Sequence, residues 1–184
     1  PAPQPWGLPL RAMISKNIRN LVFAGRNISV THAALSSSRV MATCGILRQA
    51  LGTAVAQSLK THTDIRNIDI PTLQNTLMHD DCYLPWHQRK ISSLSEKSSC
   101  TCDIVRSGFD RGDENCWVGQ DGDAITYSFE GDTSVKEVRL IFDSNLNREE
   151  HNMPCCYPLH ETKYKVPETL IRSFEIVGTK ADGT

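Results

Sequence analysis

The side chains able to do chemistry gather between Gly25 and Met41. Arg26 follows a glycine, Thr31 and His32 stand together, and Ser36, Ser37 and Ser38 form a hydroxyl run ahead of Arg39. A guanidinium at position 26 could hold a phosphate, or pair on the surface with a loop carboxylate. His32 could act as an acid or base, or only hydrogen-bond its own loop. Arg39 stands where a helix is expected to begin, and a positive charge there opposes the helix dipole. A residue placed against local preference is a candidate for contact with a ligand or a carboxylate. The three serines supply hydroxyls for the N-cap of that helix. Its free N–H groups and positive end would receive negative charge or a polarised carbonyl. Cys44, one turn in, reads as a small buried hydrophobe rather than a redox thiol.

These residues need elements to position them. Leu21-Val22-Phe23-Ala24 is an apolar, partly β-branched run long enough for a buried strand, and Gly25 ends it. A polar loop to Ser38 follows, and then a long helix from near Arg39 to Lys60. Ala42, Gly45, Ala50, Gly52, Ala54 and Ala56 keep its surface thin for close packing on a sheet. Leu47, Leu51, Val55 and Leu59 give its apolar stripe. Asp69 with Pro71 marks a second helix start, with Leu73, Leu77 and Met78 at helical spacing and an end near Asp80-Asp81. The Ser-rich, charged stretch 87–99 lacks a period and reads as a linker between domains 1–86 and 100–184. Beyond it come short alternating runs at 126–129, 138–142 and 171–177, separated by Asp121-Gly122 and Gly131-Asp132 turns. Runs of this kind indicate an antiparallel β-sandwich.

The text AGRNISVTHAALSSSRVMATCGILRQALGTA closely resembles the C-terminal FAD-binding segment of the FAD-dependent oxidoreductase family. That segment reads AGR-x-I-S-x-T-H, then S-x-R-V-M-x-T-C, then G-x-A-x-G-T-A, and the likeness runs from Pro9 to about Ala56. Two departures are visible: Ser36 stands where a glycine is common, and Arg48 interrupts the small-residue helix. The resemblance implies FAD as cofactor and a contact set of Ala24, Gly25, Arg26, Ser29, His32, Ser37, Ser38, Arg39, Val40 and Met41. Arg26 would then hold a phosphate or the flavin pyrimidine edge. The positive end of the long helix would face the C2 carbonyl, where negative charge gathers on reduction. His32 is the one catalytic candidate. The stretch from Phe109 to Arg148 more loosely resembles the galactose-binding-like, discoidin-type jelly roll, with about five strands in place of eight.

The 184 residues carry a net charge of -1, which gives no overall electrostatic footprint for nucleic acid or an anionic membrane. No apolar run approaches the length of a membrane span. The chain opens without Met on a Pro-rich stretch, which reads as an internal piece of something longer. Its seven cysteines are an odd number without scaffold density, which favours a reducing, cytoplasmic setting. No G-x-G-x-x-G turn appears anywhere in the chain, so the pyrophosphate grip of a dinucleotide-binding sheet is missing. The missing N-terminal dinucleotide-binding portion is therefore the first partner expected, and this chain alone is not expected to retain FAD.

Cys100, Cys102, Cys116, Cys155, Cys156, His151 and His160 lack the spacing of a zinc site, and no metal is expected. Residues 143–148 (DSNLNR) could offer calcium its oxygens, but read as a solvated turn. Trp117, behind the charged loop Asp110 to Glu114, is either a core residue or a platform for carbohydrate. The expectation is an α+β chain: the C-terminal fragment of an α/β FAD-binding domain (strand, loop, long helix), followed by a partial, jelly-roll-like antiparallel sandwich. Its function would be to give the flavin-facing loop and helix N-terminus to an FAD-dependent oxidoreductase. The alternative is a non-catalytic carbohydrate-binding sandwich with a helical adaptor. Convergence of Arg26, Ser29 and the 36–41 stretch on one cleft separates the two.

Overall fold

The structure is a computed structural model that describes residues 5–142 and 170–180. The chain divides into two compact units, Pro1–Lys90 and Ile91–Thr184.

In the first unit, a 3-10 turn at Leu10–Met13 buries Ala12 and Met13. The expected buried strand at Leu21–Ala24 is reduced to a single antiparallel bridge between Ile14 and Val22. Phe23 N–H donates to Met13 O at 2.7 Å, and Ser15 N–H to Leu21 O at 3.0 Å. With one neighbour on one edge the run forms no ladder, and Leu21 stays 36% exposed.

The polar loop expected between Gly25 and Ser38 is largely helix. Helix α1 covers His32–Ser38, and the Thr31 hydroxyl accepts from Ala34 N–H to cap it. Ser36, Ser37 and Ser38 are thus not caps of the long helix. Their hydroxyls donate back to the carbonyls of Ala33 and Ala34, as Ser does inside a helix. Arg39 closes α1 in helical geometry, Val40 is extended (φ -69°, ψ 142°), and α2 runs Met41–Thr61 without a capping side chain. The long helix is as expected in extent; its start is two residues later and its cap is absent.

Helix α2 buries Cys44, Leu47, Leu51 and Ala54. The expected stripe therefore turns toward Cys44 and Ala54: Val55 is half-buried and Leu59 is 70% exposed. It ends on His62 in the left-handed region (φ 52°), with Thr63 N–H donating to Ser58 O, the arrangement that satisfies terminal carbonyls. Helix α3 spans Ile70–His79, as the Asp69–Pro71 signal indicates, and buries Leu73, Leu77 and Met78. Gln57 Nε2 donates to Asp69 O beside the start of α3, and Gln49 Nε2 to Asp80 O at its end. The two helices therefore run antiparallel. Their apolar faces share one core with Met13, Ile28, Ile65 and Ile68. Asp64 ties the unit's opening segment to this core through Arg19 (3.1 Å), while Arg66 Nη2 donates to Ser15 O.

The Asp69 carboxylate accepts from Thr72 N–H at 2.9 Å, and its hydrogen bonds to Thr72 hold its pKa below the ordinary value. A depressed carboxylate contributes fully above its unfolded pKa and loses its contribution as pH falls through the folded one. Asp69→Ala is expected to lower Tm by a few degrees at neutral pH, and by progressively less in acid, in a melt followed at 222 nm. An unchanged Tm at pH 7 would remove the cap from the account.

In the second unit, Ser92 caps a short helix α4, Ser93–Lys97, inside the stretch read as a linker. The unit's one sheet among the described residues pairs β1 (Ser99–Cys100) antiparallel to β2 (Tyr127–Ser128). Residues 138–142 and 171–177, expected as strands, pair with no strand among the described residues. Alternation there gives a side-chain contact instead: the Phe142 and Phe174 rings lie 5.2 Å apart. Helices and one two-stranded sheet among the described residues are consistent with an α+β chain.

Candidate functional site

Two junctions in the first unit gather the residues expected at the cofactor. The first is the break between α1 and α2. Ser38 is buried (1% exposed), and Cys44 Sγ donates to its carbonyl at 3.5 Å, so α1 is bound against the first turn of α2. The break leaves Arg39 exposed, Val40 largely so and Met41 90% exposed at the head of a 21-residue helix with no side-chain cap. The leading N–H groups of such a helix are unpaired within it and carry its positive dipole end.

The second junction is the turn at Gly25. Gly25 is buried at φ +132°, a conformation that only glycine adopts without strain. A β-carbon there would lie 3.7 Å from Arg48 Nη2 and 3.8 Å from Asn27 Oδ1. The Arg48 guanidinium therefore stands over the turn. Arg48 stood out in the sequence only as an interruption of small residues. Its position 23 residues beyond Gly25 had no local signal, because a fold alone brings the two together.

The other candidates are placed less tightly. Ser29 N–H donates to Ala12 O at 2.8 Å, which fixes the main chain after the turn and leaves the residue exposed. Ala24 is half-buried, while Arg26, His32 and Ser37 are exposed. No hydrogen bond among the described residues joins Arg26, His32 or Arg39 to another candidate. His32 is the first residue of α1, so the loop in which it was read as an acid or base is a helix start.

Among the described residues, thiols and metal-ligand types give no second site. Cys44 and Cys82 are buried, and burial pushes the Cys82 thiol up, away from the reactive thiolate. No group of three or more metal-ligating side chains converges among the described residues. Cys155, Cys156, His151, His160 and the 143–148 turn lie outside the described residues. Trp117 is half-buried, and its ring packs against Gly119, where a β-carbon would sit 2.5 Å from Cη2. The ring is turned onto its own chain.

Residues 1–77 match the family described as FAD dependent oxidoreductase. The matched stretch includes the Gly25 turn, both helices of the break and most of α3. No curated protein and no solved structure matches the chain significantly. Among the described residues no helix is long and apolar enough to cross a membrane.

Proposed function

We propose that this chain is part of an FAD-dependent oxidoreductase, and that its first unit supplies one wall of the cofactor site. The observation that carries this reading is the family match over residues 1–77, which falls on the uncapped start of α2 and the Gly25 turn. When bound, FAD supplies the two-electron chemistry, and the protein positions and tunes it. The residues present fit part of that group. Unpaired N–H groups of the first turn of α2, with Arg39 two residues ahead of Met41, offer positive potential to a carbonyl edge. Exposed Val40 and Met41 offer apolar surface to a ring. The glycine turn that grips a dinucleotide is absent from the sequence, so a dinucleotide-binding portion is the partner this wall requires. On this reading the 184-residue chain alone does not hold FAD stably, and the second unit is a separate module.

The test is electrostatic and uses the full-length, FAD-loaded protein. Arg39→Ala should lower the flavin reduction potential, because it makes the wall less positive where charge gathers on reduction. A change of about 1–2 kcal/mol for a partly buried site corresponds to roughly 20–40 mV for a two-electron couple. Arg39→Lys should recover part of the shift. An unchanged or raised potential in Arg39→Ala with FAD fully bound would show that this wall does not face the flavin.

A further inference from the structure

The net charge of -1 conceals a strong asymmetry. The first 63 residues contain no aspartate or glutamate and seven lysines or arginines, and the first carboxylate is Asp64. The opposing acidic residues all lie later in the chain. The one ion pair that this early segment makes among the described residues is Arg19 with Asp64. Arg26 and Arg48, which flank Gly25, have neither an ion-pair nor a hydrogen-bond partner among the described residues.

Their placement concentrates this charge at one turn. Arg26 is covalently next to Gly25, and Arg48 Nη2 is 3.7 Å from where a β-carbon on Gly25 would be. Helical side chains lean toward the N-terminus, so Arg48 reaches back along α2 from a Cα about 10 Å beyond Met41. One guanidinium, that of Arg48, thus stands over a main-chain turn that has no side chain of its own, and the exposed Arg26 follows the glycine directly in the chain. Guanidinium groups pair with phosphate oxygens through two parallel hydrogen bonds, and a bare glycine lets such a group approach the backbone.

We propose that Arg48 and Arg26, set around the Gly25 turn, form a binding site for the phosphate or diphosphate group of a nucleotide. The proposal does not require the flavin reading, because pyrophosphate and ADP carry the same chemistry without a flavin ring.

The experiment titrates the full 184-residue chain with inorganic pyrophosphate at low ionic strength, by calorimetry or phosphorus NMR, and repeats it with ADP, FAD and riboflavin. Pyrophosphate and ADP should bind, FAD should bind through the same phosphates but too weakly to be retained on gel filtration, and riboflavin, which has no phosphate, should not bind. Arg48→Gln should weaken pyrophosphate binding roughly tenfold or more through loss of a charged fork, and Arg26→Gln should weaken it as well. Arg48→Lys should recover part of the loss. Lys60→Gln removes the same charge about 18 Å further along α2 and should change affinity less than twofold. Absence of pyrophosphate binding, or equal losses in Arg48→Gln and Lys60→Gln, overturns the site, the latter because only diffuse attraction would then be at work. Tighter binding of FAD than of ADP identifies the flavin nucleotide as the source of the phosphate. Equal binding counts against the flavin reading and leaves the anion site standing.

Discussion

Leu51→Ala is expected to destabilise the first unit by about 2–5 kcal/mol, while Leu59→Ala changes stability by less than about 0.5 kcal/mol. Both leucines lie on α2 eight residues apart, and both belong to the apolar stripe that sequence periodicity selects. Leu51 is 4% exposed and sits in the core with Leu47, Ala54, Leu73 and Leu77, whereas Leu59 is 70% exposed. Truncating Leu51 removes buried methyl groups and leaves a cavity between α2 and α3. Its neighbours cannot close that cavity freely, because Gln49 and Gln57 bind α2 to the two ends of α3. Truncating Leu59 removes surface that water already reaches. Urea denaturation followed at 222 nm reads the helices of this unit directly. Equal midpoint shifts for the two variants would mean that α2 is rotated about its axis relative to the arrangement described.

Gly25→Ala should cost about 1–3 kcal/mol and should also abolish pyrophosphate binding at the Arg48 site. The added β-carbon meets Arg48 Nη2 and Asn27 Oδ1 at ordinary contact distances, so crowding is not the cause. The cost is conformational: φ +132° is outside the range that an L side chain adopts without strain. A turn that relaxes toward negative φ shifts the main chain that lies beneath the Arg48 guanidinium. Gly52→Ala gives the contrast. Gly52 lies in the interior of α2 with open space where a β-carbon would go. Alanine there should stabilise the helix by about 0.5–1 kcal/mol and leave anion binding unchanged. Thermal melts and pyrophosphate titrations on the same two proteins check both statements. A Gly25→Ala protein that is as stable and binds as tightly as the parent would show that the turn needs no glycine.

Local signals were legible because local hydrogen bonds make them. Asp69 and Pro71 start α3 through a side-chain cap and a residue that needs no N–H there, all within four positions. Helix α2 was legible from the helical spacing of Leu47, Leu51, Val55 and Leu59 among its small residues. The serine run misled because Ser is favoured both at caps and in back-bonding turns, and the choice went to the second once Thr31 had capped α1 first. At 138–142 and 171–177, alternation signalled strands, but a strand exists only when a partner edge accepts its hydrogen bonds.

The sequence by itself determined the long helix α2 and helix α3, the charge asymmetry and the likeness of residues 9–56 to the FAD-dependent oxidoreductase family. Only the tertiary structure decided which face of α2 is buried, because a periodic stripe defines a direction only to within a residue or two, and packing against α3 selects it. Only the tertiary structure set Arg48 over Gly25. That contact joins residues far apart in the chain, and no local preference of either one encodes it; it follows from where the core of Met13, Ile28, Leu47 and Leu51 draws the turn against the helix.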